Sequence, residues 1–263
     1  MTPPRRLAVC ADDYGQGVAI DRGILALAQQ GRITALSCLV TPPRWAHAGL
    51  ALPDGGVAAG LHVNLTEGEP LSAALRRHWP RFPSLGTLIV QAHLGRLPAA
   101  LADEVQAQLC RFVDVVGRGP AFIDGHQHVH ALPGVQPLVL AVARGLHLPV
   151  RNTGRVLGPG FALKRRVIEA CGGRQLAGCI QRLGLPAATA LLGVYDFGPR
   201  ADYRALMRGW LRVAPDGALL FCHPASGAAD PGDAIAAARV REMAYLASDA
   251  FMADLAEAGV VLG

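Results

Sequence analysis

The sequence lacks any apolar stretch long enough to cross a membrane as a helix. Such a helix needs roughly 20 consecutive apolar residues, and polar residues interrupt every run sooner, although 51% of the 263 residues are hydrophobic. The basic start of the chain meets Asp12 and Asp13 before the apolar core of a signal peptide is complete. We therefore expect a soluble, cytoplasmic protein without a transmembrane segment, in which the glycosylation pattern Asn64-Leu65-Thr66 is accidental.

The sequence also lacks the paired cysteine spacing that is typical of structural zinc sites and redox motifs. None of its six cysteines stands in a CxxC pattern, and most lie in apolar runs that resemble buried strands or helices. We expect reduced cysteines in the core rather than disulfides. The residues concerned are Cys10, Cys38, Cys110, Cys171, Cys179 and Cys222.

Long runs of positive charge are absent as well. The formal net charge of +5 comes from scattered arginines, and Lys164 is the only lysine. The one basic cluster, Lys164-Arg165-Arg166, is too short to predict nucleic-acid binding. An anionic or membrane-borne substrate remains open.

Short apolar runs alternate with segments of helical periodicity along the chain. This rhythm predicts a mostly parallel sheet wrapped by helices, and the length suits one α/β barrel, a single domain over residues 1–263. The apolar runs are residues 7–11, 35–40, 57–65, 121–124, 148–151, 191–194, 218–222 and 260–262. Helices are predicted at residues 18–30, 99–116, 135–144, 203–213 and 234–258, the last with a break.

Four of the apolar runs end in residues that suit catalysis. In an α/β barrel the loops after the carboxyl ends of the strands form the active face. A lone histidine beside a strand is more often a structural residue, but the joint placement favours one site. The residues at these ends are Asp12 and Asp13, His62, Asp124 and His126, and His223.

The residue types at these ends indicate a divalent metal. Two neutral imidazoles and one carboxylate leave open positions on such an ion, as catalysis requires. His62, His126 and one of the two adjacent acids are the candidates, and the other acid is then available to take a proton. An alternative is an HxH pair, in which His126 and His128 both bind metal as in amidohydrolases. It ranks second because those enzymes usually carry the pair on the first barrel strand.

The chain contains the segments ADDYG at residues 11–15, GLH at 60–62, IDGHQHVH at 123–130 and CHPA at 222–225. Together these segments resemble the signature blocks of the YdjC-like carbohydrate deacetylase family. They occur in the family's order and lie within residues 7–225, so the resemblance covers most of the chain.

The resemblance implies an irregular (β/α) TIM-like barrel and the metal-assisted removal of an N-acetyl group from a sugar. By position, Asp13, His62 and His126 correspond to the metal ligands and Asp12 to the general base. His223 corresponds to the acid that protonates the leaving amine.

The chain departs from the family pattern at three positions near these residues. The family usually has Phe where this chain has Tyr14, and a third histidine where it has Gln127. Gly125 replaces the commoner Ser, and we expect it to loosen the turn. None of these departures removes an implied metal ligand.

Four further residues are candidates for supporting or substrate-binding functions. Asp124 is a candidate to orient a ligating imidazole, or is an ordinary turn carboxylate. Arg151 is a candidate to hold a sugar hydroxyl or an anionic group, or forms a structural ion pair. His128 and His130 contact substrate or cap the loop.

The cofactor and the substrate are open within limits. One divalent ion is expected, zinc or magnesium first, with manganese or cobalt also suited. The resemblance implies an N-acetylated saccharide as the substrate, either chitooligosaccharide-like or a glycolipid- or hopanoid-linked amino sugar. We expect the loops at 71–95 and 155–185 to select it. A metal enzyme acting on a non-sugar amide and a catalytically silent carbohydrate-binding barrel are the alternatives. We also expect a homodimer.

Overall fold

The computed structural model describes residues 3–227 and 232–263, and a parallel sheet lies at its centre. The strand order is β4-β3-β2-β1-β6-β5, and β7 pairs with the start of β1. Every pairing is parallel, which requires crossover connections and explains the alternation of strands and helices. The predicted α/β class is confirmed. The strands are β1 (Arg5–Tyr14), β2 (Ala35–Cys38), β3 (Ala58–Val63), β4 (Ile123–Gly125), β5 (Leu191–Leu192), β6 (Ala218–Cys222) and β7 (Val260–Leu262).

The helices surround this sheet, and every segment predicted to be helical contains a helix. The predicted helices correspond to α1, α5, α6, α9 and the pair α10 and α11, with the expected break between the last two. The helices are α1 (Val18–Gln29), α2 (Trp45–Ala48), α3 (Ala73–His78), α4 (Leu85–His93), α5 (Leu101–Val116), α6 (Gln136–Leu146), α7 (Ala162–Ile168), α8 (Arg174–Leu183), α9 (Tyr203–Val213), α10 (Ala236–Leu246) and α11 (Asp249–Glu257).

The two regions expected to be substrate-selecting loops contain helices instead. Residues 71–95 include α3 and α4, and residues 155–185 include α7 and α8. The serines before α3 and α4 are N-caps, because Ser72 accepts a hydrogen bond from Leu75 N and Ser84 accepts one from Thr87 N. Glycine and proline near the ends of these helices are typical of loops, and they led to the loop prediction.

The structure does not form a complete TIM barrel. The run at residues 148–151, expected to be a strand, contributes only a single bridge from Val150 to Ile123 of β4. A second bridge joins Val156 to Leu191 of β5. Pro149 has no N–H to donate, and polar residues 151–153 follow it, so this stretch cannot continue a ladder. The sheet is therefore a curled half-barrel, and this irregular segment bridges to both of its edge strands, β4 and β5.

The expectation of reduced cysteines in the core is met only in part. All six are free, and Cys10, Cys38 and Cys222 are buried on strands as predicted. Cys110 is exposed, because it lies on the outer face of α5, and Cys171 and Cys179 are half-buried. Among the described residues, no helix is both long and apolar enough to cross a lipid bilayer.

The order of the strands decides which residues meet at the carboxyl edge of the sheet. His62 on β3 is in register with Asp124 on β4, and Ala11 on β1 is in register with Cys222 on β6. The residues that follow these positions therefore converge, as expected for the open edge of a parallel sheet.

Candidate active site

The end of β1 turns sharply and presents two adjacent acids to one cavity. On a regular strand their side chains would point to opposite faces. The register between β1 and β2 shifts between Ala11 and Tyr14, and Asp13 adopts a positive φ of 72°, which aspartate tolerates better than most residues. Asp12 and Asp13 are both buried, and both line a cavity of about 650 Å³.

Asp13, His62 and His126 bring three donor atoms together at the bottom of this cavity. Asp13 Oδ1 lies 2.9 Å from His126 Nδ1 and 3.6 Å from His62 Nε2. Ligands about 2.0–2.1 Å from a tetrahedral ion stand about 3.3 Å apart. The spacing and the mixed carboxylate and imidazole donors therefore fit a divalent cation.

The other ring nitrogen of His62 is held by Asp124. Asp124 Oδ1 lies 2.6 Å from His62 Nδ1 and accepts a hydrogen bond from Ser37 Oγ at 2.5 Å. This contact leaves His62 Nε2 directed toward Asp13, the arrangement that is typical of metal-ligating histidines. Burial alone would raise the pKa of Asp124, but Arg151 and His62 outweigh it and lower that pKa, so Asp124 stays ionised.

The second oxygen of Asp13 is bound by Arg239, a residue for which the sequence offers no signal. Arg239 Nη2 donates to Asp13 Oδ2 at 2.8 Å across 226 positions of chain. Arg239 also donates to Asp233 at 2.6 Å and to Gln16 at 2.9 Å. Burial would raise the pKa of Asp13, but the charges of Arg239 and His126 lower it well below its usual value. Asp13 therefore keeps its charge, with Oδ1 left for the two histidines.

His126 carries the clearest electrostatic sign of a cation site. Burial alone would lower its pKa, but Asp13 and then Glu67 outweigh burial and raise the pKa to about 10. Glu67 Oε1 lies 3.0 Å from His126 Nε2, a contact that sequence reasoning missed. The site thus has enough negative charge to keep a buried imidazole protonated, and a divalent ion would satisfy the same charge.

The histidine-rich segment after β4 is a turn and not a strand. Residues His126–Ala131 form 3₁₀ turns, within which Gln127 and His128 have positive φ values of 53° and 62°. His126, His128 and His130 therefore do not share a strand face. Among the described residues, the cluster of metal-ligating groups around Asp13 does not include His128. The HxH alternative has no support in this geometry.

His128 and His130 have different surroundings. His128 lines the cavity, and its ring lies edge-on to Phe221 with the centroids 5.3 Å apart. His130 is fully buried, with Nε2 3.0 Å from the carbonyl oxygen of Arg151. His128 is thus available to substrate, whereas His130 supports the backbone beneath the site.

Two departures from the family pattern have structural explanations. A Cβ on Gly125 would lie 2.8 Å from His130 N, closer than real Cβ atoms approach. Gly125 therefore permits the close approach of His130 to the end of β4, and the expected loosening stays a prediction. The Tyr14 hydroxyl donates to the Ala48 carbonyl oxygen at 2.7 Å, a hydrogen bond that phenylalanine cannot make.

Asp12 is held by Arg151 next to the donor cluster. Arg151 Nη1 and Nη2 donate to the two Asp12 oxygens, each at 2.6 Å, and Nη2 lies 2.5 Å from Asp124 Oδ2. Arg151 is buried, with 3% of its surface exposed. Of the two interpretations of Arg151, the structure supports the ion pair and not a substrate contact.

His223 follows β6 on another wall of the cavity. Its backbone N–H donates to Glu242 Oε2 at 2.5 Å, and Tyr195 donates to Glu242 Oε1 at 2.5 Å. Burial lowers the pKa of His223 to about 4, so its imidazole is neutral near pH 7. Burial raises the pKa of Glu242 to about 7. Sequence reasoning identified His223 but missed the carboxyl group that supports it.

The remaining walls of the cavity are largely apolar. Phe197 and Phe221 lie edge-on to the His223 ring, with centroids 5.2 and 5.5 Å away. Aliphatic side chains continue the wall outward, many of them from α4 and α7. They are Ile20, Leu85, Ile89, Leu132, Val167, Ile168, Val194 and Ile235.

Comparison with known proteins places the chain among relatives of one family. The family described as YdjC-like protein matches residues 6–257. A carbohydrate deacetylase of Mus musculus is 31% identical over 294 residues, which cover 99% of this chain and 94% of the relative. A chitooligosaccharide deacetylase of Serratia marcescens is 30% identical over 267 residues, which cover 98% of this chain and 96% of the relative.

A solved structure shares the fold. The crystal structure of a candidate cellobiose-phosphate cleavage protein from Enterococcus faecalis V583 superposes with a TM-score of 0.77 and 21% identity. The alignment covers 99% of this chain and 97% of that chain. The family match extends over nearly the whole sequence and confirms the resemblance found in the motifs. The chain belongs to the YdjC-like protein family.

Proposed function

We propose that this protein is a metal-dependent carbohydrate deacetylase, a hydrolase that cleaves the linear amide of an N-acetylated sugar and releases acetate. The observation that carries the proposal is the convergence of Asp13, His62 and His126 beside Asp12 in one cavity. The names of the relatives support the reaction class and the saccharide substrate.

Asp13, His62 and His126 would hold the divalent ion. When bound, the ion supplies a Lewis acid for the acetamide carbonyl and makes a water molecule at the site more acidic. Two imidazoles with one carboxylate favour a transition metal such as zinc, manganese or cobalt, while magnesium fits a site that keeps several waters.

Asp12 is the proposed general base. Arg151 binds both of its oxygens and fixes the carboxylate at the cavity wall, where it takes a proton from the attacking water. The water oxygen then forms a bond to the acetamide carbon, and the C–N bond breaks to give acetate and a free amine.

His223 is the proposed donor of the proton that the leaving nitrogen needs. Because its pKa is lowered to about 4, the imidazole is neutral before the reaction. It takes up a proton from solvent during the reaction and passes it to the leaving nitrogen, while Asp12 returns the proton that it took from water to solvent. Negative charge that develops on the acetamide oxygen favours such uptake. Glu242 holds the backbone of His223 and keeps the ring at the cavity wall.

The cavity suits a sugar that carries an apolar group. Phe197 and Phe221 offer aromatic surface for a sugar ring near His223. The aliphatic side chains that α4 and α7 contribute to the wall cannot form hydrogen bonds with sugar hydroxyls. They would instead bury an alkyl or polycyclic group attached to the sugar. Of the two substrate classes expected from the sequence, the wall favours the lipid-linked amino sugar over the chitooligosaccharide.

Acetate release tests the proposal. N-acetylated mono- and oligosaccharides and alkyl glycosides of the same sugars are incubated with chelated protein, with metal-restored protein and with the Asp12→Asn variant. We expect metal-dependent release that Asp12→Asn abolishes while it still binds metal, and an exposed control, Asp103→Asn, that behaves like wild type. Full activity in Asp12→Asn would overturn the base assignment. No release from any sugar would overturn the deacetylase proposal.

The cytoplasmic location and the homodimer stay predictions. Sedimentation of the purified protein would test the second of these directly.

A further inference from the structure

Glu67 lies in the loop after β3 and faces the proposed metal site from the cavity side. Its Oε1 is 3.0 Å from His126 Nε2, and its side chain is 45% exposed. Among the described residues, His126 Nε2 is buried and has no aligned hydrogen-bond partner, and its contact with Glu67 is an ion pair.

The backbone of Glu67 is fixed by a buried amide. Asn64 Oδ1 accepts from Glu67 N at 3.1 Å, and Asn64 Nδ2 donates to Glu67 O at 2.7 Å. The backbone N–H and C=O of Asn64 are both bound by the side-chain amide of Gln108 on α5, at 2.9 and 2.7 Å. Asn64, read from sequence as an accidental glycosylation pattern, thus anchors this loop to a helix.

The side chain of Glu67 is held by two glutamines. Gln16 Nε2 donates to Oε2 at 3.0 Å, and Gln127 Nε2 donates to Oε1 at 3.4 Å. Gln16 in turn accepts from Arg239, the residue that binds Asp13. Glu67 therefore belongs to a chain of polar contacts that reaches the proposed metal ligand Asp13.

The two histidines of the site have matching surroundings. His62 contacts Asp124 through Nδ1 and faces Asp13 through Nε2. His126 contacts Glu67 through Nε2 and faces Asp13 through Nδ1. Metal-ligating histidines usually have their second ring nitrogen held by a carboxylate, a carbonyl or water. We infer that Glu67 is a positioning residue that orients His126 toward the metal, as Asp124 orients His62.

This inference rests on the proposed metal site, and zinc binding tests it without reference to turnover. Metal-free wild type and the variants Glu67→Ala, Glu67→Gln and Glu69→Gln are titrated with Zn²⁺ against a chromophoric chelator. Glu69 is exposed in the same loop, so Glu69→Gln makes the same charge change away from His126.

We expect Glu67→Ala to weaken zinc binding by about ten- to a hundredfold, the usual effect of losing such a partner. Glu67→Gln should weaken it less, because its amide oxygen still accepts from the ring N–H, and Glu69→Gln should stay within twofold of wild type. Zinc affinity in Glu67→Ala equal to wild type would overturn the inference. Equal weakening in Glu67→Gln and Glu69→Gln would also overturn it, since that result indicates a general charge effect.

Acetate release separates this inference from the proposed function. Zinc binding that depends on Glu67 in a protein that releases no acetate would leave the inference standing and overturn the deacetylase proposal. Should Glu67→Ala fail to fold, Glu67→Gln against Glu69→Gln decides the question. A wild type that binds no zinc would overturn the positioning role for that ion.

Discussion

Arg151 donates to both carboxylate oxygens of Asp12, each at 2.6 Å, in a buried two-pronged ion pair. The same guanidinium lies 2.5 Å from Asp124, the carboxylate that holds His62. The Arg151 guanidinium therefore holds both Asp12, the proposed base, and Asp124, the carboxylate proposed to orient His62. Cys10, Asp12 and Asp124 also lie close enough together to resemble a second metal site. Arg151 contacts all three, however, and its positive charge already compensates the charge of the two carboxylates.

Replacing Arg151 should therefore cost both stability and activity. Arg151→Met removes the cationic partner of the buried Asp12 and one of the partners of Asp124. We therefore expect a loss of about 3–5 kcal/mol in the free energy of unfolding, measured by urea denaturation. Arg151→Lys keeps the charge but not the two-pronged geometry, so it should lose less stability yet remain poorly active. The exposed neighbour Arg155→Met is the control and should stay within about 0.5 kcal/mol of wild type. A stable Arg151→Met variant would contradict the buried ion pair.

Metal binding should stabilise the fold through the ligands named above. Zinc at a hundred times its dissociation constant should add about 2.7 kcal/mol to the free energy of unfolding. His62→Ala should lose this increment, because it removes one of the three donors, whereas the exposed His78→Ala should keep it. Thermal unfolding with and without a chelator measures the difference. An unchanged increment in His62→Ala would exclude His62 as a ligand.

Acid should destabilise the metal-free protein through buried neutral histidines. Burial lowers the pKa of His130 from 6.5 to about 4 in the folded state. The unfolded chain then binds more protons between these values, so stability is full above pH 6.5 and falls as the pH drops toward 4. At 1.36 kcal/mol for each pKa unit, His130 accounts for about 3 kcal/mol of that loss.

His130→Gln tests this dependence, because an amide can still donate to the Arg151 carbonyl but does not titrate in this range. Denaturation at pH 7 and pH 4 should show a smaller difference for His130→Gln than for wild type. The exposed His47→Gln should leave the difference unchanged. Identical pH dependence in His130→Gln and wild type would show that His130 does not stay neutral in the fold.

Tyr14→Phe should separate stability from function at the end of β1. The substitution restores the residue common in the family and removes the hydrogen bond to Ala48. We expect a loss of about 1 kcal/mol in the free energy of unfolding with activity retained, since the hydroxyl contacts backbone and not the cavity. Urea denaturation and acetate release measure the two effects. A large fall in activity would assign the Tyr14 hydroxyl a place in the reaction.

The strands and the long helices could be predicted because their signals are local. Apolar residues of α5 at Leu101, Val105, Leu109 and Phe112 recur with helical spacing and are buried, and Gly117 ends the helix with a φ of 76°. The acids and histidines at strand ends could be grouped for a similar reason, because parallel strands bring their carboxyl ends to one edge. Helices α3, α4, α7 and α8 were missed because glycine and proline surround them.

The partners that define each site residue could not be predicted in the same way. The contacts of Arg239 with Asp13 and of Glu67 with His126 join elements that are far apart in the chain, and no spacing rule connects them. The positive φ values of Gln127 and His128 likewise depend on the packing of the turn against its neighbours. The 3₁₀ turns that contain these two residues leave His128, among the described residues, outside the cluster of Asp13, His62 and His126.

The amino-acid sequence by itself determined the α/β class, the family and the residues at the strand ends, because periodicity and motifs depend on neighbours along the chain. Only the tertiary structure decided that the sheet stays a half-barrel, that Asp13 and not Asp12 meets both histidines, and that Arg151 serves as a buried ion-pair partner. These outcomes depend on ion pairs and hydrogen bonds between groups that are far apart in the sequence. Such contacts compensate the cost of burying charge away from water, and they form only when the chain has folded.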